Sequence, residues 1–590
     1  MKNARKLFAL MLALAMMLSL AMPALADENA TTAATYTVTI TGHKAGHTYE
    51  AYQIFKGDLD KSGAILSNIS WGDGIDGAAF LAFLTSETAT NEGIFSEKKQ
   101  VDGSETTVAN VFAGCVNAED VSKILNGYAD KDKMLDAFAK YAGNYLTTPQ
   151  GVSSAGTGAS YTISNLPAGY YLIKDQDDSL TGEALKDDFY TKFMLEVVAN
   201  VPVSVKGSVP TINKTTADTA TGSYGESVSA MVGETVYFEL AASLPSNFDI
   251  FDDYFFTFND TMSKGLTFNK IEKVYIERAN AQVDIPADFI DLDLSDEDPS
   301  TDAVKVTNNA DGSSSFEVKV GDLKDKNFPA LLLENKIVVR YSAIVNEDAI
   351  IGSTGNPNEV TLDYSNNPYD DGEGTTGPDI AVVFTFGLNV NKHDKADANT
   401  KLAGAEFVLY RRELYREEGT TKDLLRLNFV VVDENGVAKD WLTVEGIEVA
   451  ATTAQTWENV KAALTAEQLA SITLTTDAQG NISVPGLDIH TYTLLEIKAP
   501  DGYNLPRDPF IVVMTPVVGE DNTITMKYQF GSGEEIVSTD GYADVDIANG
   551  KGNTLPSTGG MGTTMFYLIG GLMAVTAVVL LVTKKRMSVN

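Results

Sequence analysis

The feature that most constrains the fold of this chain is a set of short segments in which apolar and polar residues alternate with period two. Successive side chains of a strand point to opposite faces, so this alternation predicts strands with one buried face. Glycine, asparagine and aspartate separate the segments, and few stretches show a helical pattern. The sequence therefore predicts a mainly β chain of tandem sandwiches. The clearest predicted strands are Tyr36–Thr41, Phe316–Val320, Thr361–Tyr364 and Phe407–Tyr410, and the predicted helices are Ala78–Leu84, Ala118–Ala139 and Thr456–Leu469.

The N-terminus has the three parts of a secretory signal. Lys2, Arg5 and Lys6 form a basic region, the apolar run Leu7–Ala21 follows, and small residues then end at Ala26. The alternative, a transmembrane helix, needs a longer apolar run than this. We therefore predict that residues 1–26 are a signal peptide cleaved after Ala26.

The C-terminus contains three elements in a fixed order. A five-residue motif is followed by the apolar stretch Met565–Val582, which is about one bilayer core in length, and then by a basic cluster that favours the cytoplasmic side. This order resembles the cell-wall sorting signal of sortase substrates, here residues 553–590. The resemblance implies that a sortase cleaves between Thr558 and Gly559 and joins the Thr558 carboxyl to an amine. The alternative is an ordinary single-pass membrane protein. The motif is Leu555-Pro556-Ser557-Thr558-Gly559, and the basic residues are Lys584, Lys585 and Arg586.

Composition limits the partners and the means of stabilisation. The net charge of −37 argues against nucleic acid and anionic membranes as partners and suits an extracellular surface. Cys115 is the only cysteine, so the chain cannot form an internal disulfide. An exported protein of this length without disulfides needs another source of stability.

The sequence predicts neither a metal site nor a cofactor. The four histidines, His43, His47, His393 and His490, show no metal-ligand spacing, and His43 and His47 fall in a strand and turn context. The acidic segment Asp291–Asp296 lacks the glycine of a calcium-binding loop, and we interpret it as solvated. Neither a phosphate-binding loop nor a nucleophile elbow is present, so a surface hydrolase has no predicted site.

Two changes in composition, near residues 205 and 380, divide the mature chain. The predicted domains are residues 27–205, 206–380 and 381–552. Leu166–Asp175 aligns without gaps on Leu487–Glu496, which places Asp175 on Glu496. This alignment indicates related sandwiches, and its alternative is two unrelated strands that each follow a turn.

The segment 492–503 carries the most specific chemistry. It resembles the E-box of Gram-positive pilins, and residues 384–552 as a whole resemble a CnaB domain. The resemblance implies an Ig-like sandwich in which a strand lysine, Lys392, attacks the amide of Asn549 with help from the buried acid Glu496. Burial lowers a lysine pKa and raises a glutamate pKa, which gives a neutral nucleophile and a protonated acid. The matching positions are Tyr492, Leu494, Glu496, Ala499, Pro500, Gly502 and Tyr503.

Three segments of the middle region, Val209–Lys214, Phe258–Leu266 and Asn358–Asn366, resemble the isopeptide-forming fimbrial (CnaA-type) domain. The resemblance implies Lys214 as nucleophile, Asp260 as acid and Asn358 as acceptor, with Asn366 as the alternative acceptor. The first region departs from this pattern, because its first strand contains no lysine. We therefore expect no internal bond in residues 27–205 and expect this domain to be the least stable.

These resemblances imply a major pilin, a structural shaft subunit rather than an enzyme, at the wall of a Gram-positive cell. Its implied partners are pilus-type and housekeeping sortases, other copies joined head to tail, ancillary pilins and peptidoglycan. The alternative is a monomeric wall-anchored adhesin or ancillary pilin. The segment before Lys206 resembles a pilin motif but lacks its Tyr-Pro, and it implies Lys206 as the polymerisation lysine. Lys206 as a plain linker lysine, and Lys214 as the acceptor, remain alternatives.

Overall fold

A computed structural model describes residues 34–551, apart from residues 45, 61–62, 64, 102–103, 129–132, 154–159, 183–185, 206, 280, 292–304, 370–371, 417–422, 449–451 and 520–523. The signal peptide, the sorting signal, Lys206 and most of the Asp291–Asp296 segment thus lie outside the described residues. Among the described residues, none of the helices has the length and hydropathy needed to cross a membrane.

The first sandwich occupies a compact unit made of the chain up to Val209 with residues 245–252 and 365–374. One sheet has the order β10-β1-β7, the other has the order β3-β2-β8-β9 with β6 beside β2, and β4 and β5 form a hairpin. The strands are β1 (Thr35–Thr41), β2 (Tyr49–Leu59), β3 (Leu66–Trp71), β4 (Glu97–Val101), β5 (Ser104–Val108), β6 (Gly151–Val152), β7 (Ser160–Pro167), β8 (Gly169–Asp175), β9 (Lys192–Val197) and β10 (Val201–Ser204), and the helices are α1 (Gly77–Leu84), α2 (Glu87–Asn91), α3 (Ala118–Leu125) and α4 (Lys133–Ala142).

Apolar residues on both faces of β2 and β8 give this sandwich two cores. Val38 and Ile40 of β1 alternate with more exposed neighbours and pack against Tyr171 between the sheets. On the outer face, Phe80 of α1 and Phe138 of α4 belong to a second core that covers the sheet. The helices therefore bury the face of the sheet that would otherwise be exposed to water.

In the first sandwich, one predicted helix is wrong in its extent. The stretch Ala118–Ala139 forms two helices, because α3 ends at Asn126-Gly127, where the amide of Gly127 bonds the carbonyl of Ile124. Asparagine and glycine are poor helix formers and favour such an end.

The second sandwich lies in the other compact unit, residues 210–244, 253–364 and 375–590. Its sheets have the orders β11-β13-β20-β15-β16 and β12-β23-β21-β14-β19-β17, with β18 beside β19 and β22 beside β21. Strand β23 spans the predicted boundary at 380, so this sandwich continues to Phe384. The strands are β11 (Ile212–Ala217), β12 (Ser227–Ser229), β13 (Thr235–Ser243), β14 (Phe256–Met262), β15 (Leu266–Arg278), β16 (Ala281–Asp284), β17 (Ile290–Asp291), β18 (Thr307–Asn308), β19 (Ser314–Val320), β20 (Lys336–Val345), β21 (Asn356–Ser365), β22 (Glu373–Thr375) and β23 (Asp379–Phe384).

The third sandwich follows in the same unit. Its sheets have the orders β29-β24-β34 and β27-β26-β25-β30-β31-β32-β33, with β28 beside β25. The helix predicted over Thr456–Leu469 is two helices, because Thr465 begins a new one through a capping box with Gln468. The elements are β24 (Phe386–Asp394), β25 (Glu406–Arg416), β26 (Asp423–Val432), β27 (Ala438–Glu448), α5 (Thr453–Ala463), α6 (Ala466–Ser471), β28 (Leu474–Thr475), β29 (Asn481–Leu487), β30 (Thr491–Lys498), β31 (Phe510–Val518), β32 (Ile524–Phe530), β33 (Glu535–Val537) and β34 (Tyr542–Asn549).

The first and third sandwiches share a strand topology. In each, the first strand lies between an antiparallel neighbour and the parallel last strand: β1 between β7 and β10, and β24 between β29 and β34. Asp175 on β8 and Glu496 on β30 then fall on corresponding strands, as the predicted repeat requires.

Candidate functional site

The third sandwich brings Lys392, Glu496 and Asn549 together in its core. β24 and β34 pair in parallel, which places Lys392 and Asn549 on neighbouring strands of one sheet, while β30 of the opposite sheet supplies Glu496. Lys392 Nζ contacts Asn549 Oδ1 and lies 2.9 Å from Glu496 Oε2. Asn549 Nδ2 donates to Glu496 Oε1 at 2.5 Å. A single carboxyl group therefore contacts both the amine and the amide.

Burial sets the charge states of this group. The side chains of Lys392 and Glu496 are 0% and 1% exposed. Burial lowers the pKa of Lys392 and raises the pKa of Glu496, although their mutual attraction opposes both shifts. Desolvation thus favours the neutral amine and the protonated acid, which are the forms needed for attack on an amide.

The second sandwich assembles Lys214, Asp260 and Asn358 around a residue that the sequence did not single out, Tyr341. Lys214 on β11 and Tyr341 on β20 belong to one sheet, whereas Asp260 on β14 and Asn358 on β21 belong to the other. Lys214 Nζ contacts Asp260 Oδ2 and lies 3.0 Å from Tyr341 Oη. The Tyr341 hydroxyl lies 2.9 Å from Asp260 Oδ2 and accepts from Asn358 Nδ2 at 2.5 Å. Tyr341 thus connects the acid to the amide.

This second site is fully buried, and the pKa values of its lysine and its acid are shifted in the same directions as in the third sandwich. Desolvation lowers the pKa of Lys214 and raises the pKa of Asp260, against their mutual attraction. Burial also raises the pKa of Tyr341 far above its usual range, so its hydroxyl keeps its proton. Asn358 Oδ1 is buried without a hydrogen-bond partner, which leaves that amide only partly satisfied.

Asn366, the alternative acceptor, lies elsewhere. It belongs to the compact unit of the first sandwich, where its carbonyl accepts from the amide of Tyr190 at 2.9 Å. Asn358 is the asparagine that contacts Tyr341.

The first sandwich has glycines at the lysine and asparagine positions. When the alignment of the repeat is continued, Ile163 falls on Val484, so their partners Val38 and Leu388 correspond, as do Val201 and Ala543. In sequence, Gly42 then corresponds to Lys392 and Gly207 to Asn549, and the two glycines lie just beyond the ends of β1 and β10. A side chain could enter neither position without movement. A Cβ at Gly42 would lie 2.5 Å from the carbonyl oxygen of Val205, and one at Gly207 would lie 2.1 Å from the Phe189 ring.

Two histidines and two aspartates are buried in the first sandwich, close to Gly42. His47 Nδ1 lies 2.7 Å from Asp175 Oδ1, and His47 Nε2 lies 3.0 Å from Asp188 Oδ2. His43 Nδ1 lies 2.7 Å from Asp188 Oδ1. Burial opposes charge on His47, but its hydrogen bonds with both carboxylates prevail and raise its pKa to about 9. Hydrogen bonds with His43 and His47 outweigh the burial of Asp188 and hold its pKa below the usual range.

The spacing of the histidines in the sequence gives no sign of this cluster. The fold brings them to Asp188, which lies 145 residues after His43. The repeat did indicate one member, since it placed Asp175 at the acid position. The other predicted residues, the sorting motif 555–559 and Lys206, are outside the described part of the chain.

Three family models match the chain. Residues 387–529 match a prealbumin-like fold domain named SpaA, and residues 232–368 match the Cna-B-like domain of Gram-positive pilin backbone subunit 2. Residues 548–588 match the LPXTG cell wall anchor motif. These matches include the two lysine sites described above only in part, because Lys214 and Asn549 lie outside the first two ranges.

The chain is also similar to known proteins. The trypsin-resistant surface T6 protein of Streptococcus pyogenes is 26% identical over 408 residues, which cover 65% of this chain and 70% of that protein. Among solved structures, the T6 backbone pilin of the same species is 16% identical, with a TM-score of 0.44 and coverage of 90% and 100% of the two chains. The major pilin SpaD of Corynebacterium diphtheriae is 14% identical, with a TM-score of 0.42 and coverage of 88% and 98%. Its backbone-pilin domains, its wall anchor and its similarity to the T6 surface protein show that the chain belongs to the backbone pilins of Gram-positive bacteria, the shaft subunits of sortase-polymerised pili at the cell wall.

Proposed function

We propose that two self-formed isopeptide bonds, Lys392–Asn549 and Lys214–Asn358, lock this shaft subunit, and that Thr558 of one subunit is joined to Lys206 of the next. The observation that carries the proposal is the Glu496 carboxyl group, which contacts the Lys392 amine and the Asn549 amide at once.

The reaction in the third sandwich follows from these contacts. The neutral Lys392 amine attacks Cγ of Asn549, and a new carbon–nitrogen bond forms. Glu496 accepts a proton from the attacking nitrogen and delivers a proton to Nδ2, so that the old carbon–nitrogen bond breaks and ammonia leaves. The balance is one amine and one primary amide giving one secondary amide and one ammonia.

The second sandwich supports the same reaction with a different relay. Asp260 contacts the Lys214 amine directly but reaches Asn358 through the Tyr341 hydroxyl. Tyr341 is therefore a positioning residue in this scheme, and Asp260 is the acid. The bond would connect β11 to β21 and so join the two sheets, whereas the bond in the third sandwich would join two strands of one sheet.

Intact mass tests both bonds. Each bond expels ammonia, so the mature chain should be about 34 Da lighter than its sequence mass if two such attacks occur. Glu496→Ala should recover about 17 Da, and so should Asp260→Ala. After digestion, a branched peptide should join Lys214 to the peptide that contains Asn358. A mass equal to the sequence mass would refute both bonds, and a branch at Asn366 would refute only the acceptor.

Lys206 is proposed as the acceptor for polymerisation because it follows β10, at the end of the first sandwich, and because Lys214 would be consumed within its own domain. The inferred partners are a pilus-type sortase for the joining step, a housekeeping sortase for transfer to peptidoglycan, other copies of the chain, and ancillary pilins. Head-to-tail joining that does not close gives an open filament.

An immunoblot of wall extract tests the polymerisation lysine. Lys206→Ala should abolish the ladder of covalent multimers and leave a folded, wall-attached monomer. Lys214→Ala is the matched control, since it should keep the ladder and lower the thermal stability. A ladder in Lys206→Ala would place the acceptor elsewhere. A single band from the unsubstituted chain would favour the alternative function of a monomeric adhesin.

A further inference from the structure

We propose that the first sandwich binds one divalent metal ion of the zinc type through His43, His47 and Asp188, with Asp175 as the outer carboxylate that orients His47. The proposal is independent of the isopeptide bonds proposed above. It concerns the end of the sandwich where glycines stand in the places of the lysine and the asparagine.

The three side chains offer a donor set of two imidazoles and one carboxylate, which suits zinc and neighbouring divalent ions. One ligand atom from each lies within 4.8 Å of the others. Metal–ligand bonds of about 2.0–2.2 Å place tetrahedral ligand atoms roughly 3.3 Å apart. His43 Nδ1 lies 2.7 Å from Asp188 Oδ1, and His47 Nε2 lies 3.0 Å from Asp188 Oδ2. The two ring nitrogens and the carboxylate would therefore have to move apart by roughly half an ångström to take such an ion.

The surroundings of His47 are those of a metal-binding histidine. Its Nδ1 lies 2.7 Å from Asp175 Oδ1, which leaves Nε2 facing Asp188. Asp175 is itself held, because its Oδ2 accepts from the amide and the hydroxyl of Thr191 at 2.6 Å and 3.0 Å. A carboxylate that fixes the far nitrogen of an imidazole selects the tautomer and the ring orientation that metal binding requires.

Burial and charge both favour an ion at this place. The side chains of His43, His47 and Asp188 are at most 5% exposed. A divalent ion held by two neutral imidazoles would be balanced in charge by the two carboxylates, Asp175 and Asp188. The ion would displace the proton between His47 Nε2 and Asp188.

The position gives the ion a structural role. His43 and His47 follow the first strand, whereas Asp188 lies 145 and 141 positions away and precedes β9. A metal that binds only the folded arrangement contributes its binding free energy to folding. It would therefore connect distant parts of the first sandwich, as the proposed bonds do in the other two.

Metal retention by the full-length chain tests the proposal. The chain is refolded with excess Zn²⁺, freed of unbound metal, and analysed for zinc per chain. We expect about one zinc ion per chain, and its loss in His43→Gln. His490→Gln is the matched control, because it removes an exposed histidine of the third sandwich and should leave the zinc content unchanged.

A spectroscopic measurement on the unsubstituted chain keeps the test independent of folding defects. Refolding with Co²⁺ should give the strong visible bands of a four- or five-coordinate ion, and Zn²⁺ should displace them. Zinc should also raise the unfolding temperature of the first sandwich in the unsubstituted chain but not in His43→Gln. The proposal is wrong if the unsubstituted chain retains no more zinc than His43→Gln, or if bound Co²⁺ shows only the weak bands of a six-coordinate aqua ion.

Discussion

The first and third sandwiches have the same strand topology, but they differ in the residues that surround the buried acid. Where the third has Lys392, Glu496 and Asn549, the first has Gly42, Asp175 and Gly207. In the third sandwich the acid faces an amine and an amide, whereas in the first it faces His47 and, through it, Asp188.

The difference shows that the pairing of the first and last strands has to be stabilised in both sandwiches and that different residues stabilise it. In both sandwiches the first strand pairs in parallel with the last strand, and contacts between distant parts of a chain cost loop-closure entropy. The third sandwich can meet this cost with a covalent bond, because its buried amine and amide are in contact. In the described part of the first sandwich, hydrogen bonds of His47 with Asp175 and Asp188 make this link, and such a link is reversible.

Removal of the acid from the third sandwich should have the largest effect. In Glu496→Ala the proposed Lys392–Asn549 bond should not form. The chain would then lack a closed loop of roughly 157 residues, which should cost on the order of 4–5 kcal/mol. Hydrogen exchange of amides in β24 and β34 measures this loss for the third sandwich alone. Glu534→Ala, an exposed acid of the same sandwich, should change little. Unchanged exchange in an unbonded Glu496→Ala chain would contradict a stabilising role.

The corresponding substitution in the first sandwich is Asp175→Asn. It removes a buried negative charge from His47 and weakens a network that also includes Thr191, which should cost about 3 kcal/mol. Exchange of the β2 and β8 amides should accelerate, while that of the third sandwich stays constant. Asp177→Asn is the control, because this aspartate is 66% exposed and pairs with Lys174 at the surface. If Asp175→Asn lowered the free energy of unfolding no more than the control does, the His–Asp cluster would not stabilise the first sandwich.

The second sandwich sharpens the comparison, because its acid reaches the amide through a hydroxyl group. Tyr341→Phe removes that hydroxyl and should slow bond formation on the order of tenfold, as the loss of one positioning hydrogen bond predicts. Intact mass at successive times after synthesis measures the unbonded fraction. Tyr275→Phe, a buried tyrosine of the same sheet, should leave the rate unchanged. Equal rates for the two variants would show that Tyr341 does not position Asn358.

Much of the site in the third sandwich could be predicted from the sequence, because the E-box is a specific motif within a short segment. The E-box fixes Glu496 on a strand within twelve residues, and the structure places Lys392 and Asn549 against it. Tyr341 escaped prediction because a tyrosine in an alternating strand has the pattern of a core residue. The His–Asp cluster escaped because its members become neighbours only when β1 and β8 face each other. The helix break at Asn126 is a local signal that the sequence analysis overlooked.

The smallest expected effect concerns two matched tyrosines of the repeat. Tyr171 donates its hydroxyl to the carbonyl of Pro167 at 2.8 Å, and Tyr492 donates to Asp488, 2.5 Å from Oδ1. Tyr171→Phe loses one neutral hydrogen bond and should cost about 1 kcal/mol, whereas Tyr492→Phe loses a bond to a charged group and should cost about 2 kcal/mol. Hydrogen exchange of β8 and β30 compares the two. Because neither hydroxyl touches the acid of its sandwich, both variants should keep their links. If the intact mass of Tyr492→Phe did not fall by the mass of the lost oxygen atom, the ammonia would have been retained and the proposed bond would not have formed. The turn before β30 would then also position Glu496, and the two sandwiches would differ in more than their cross-linking residues.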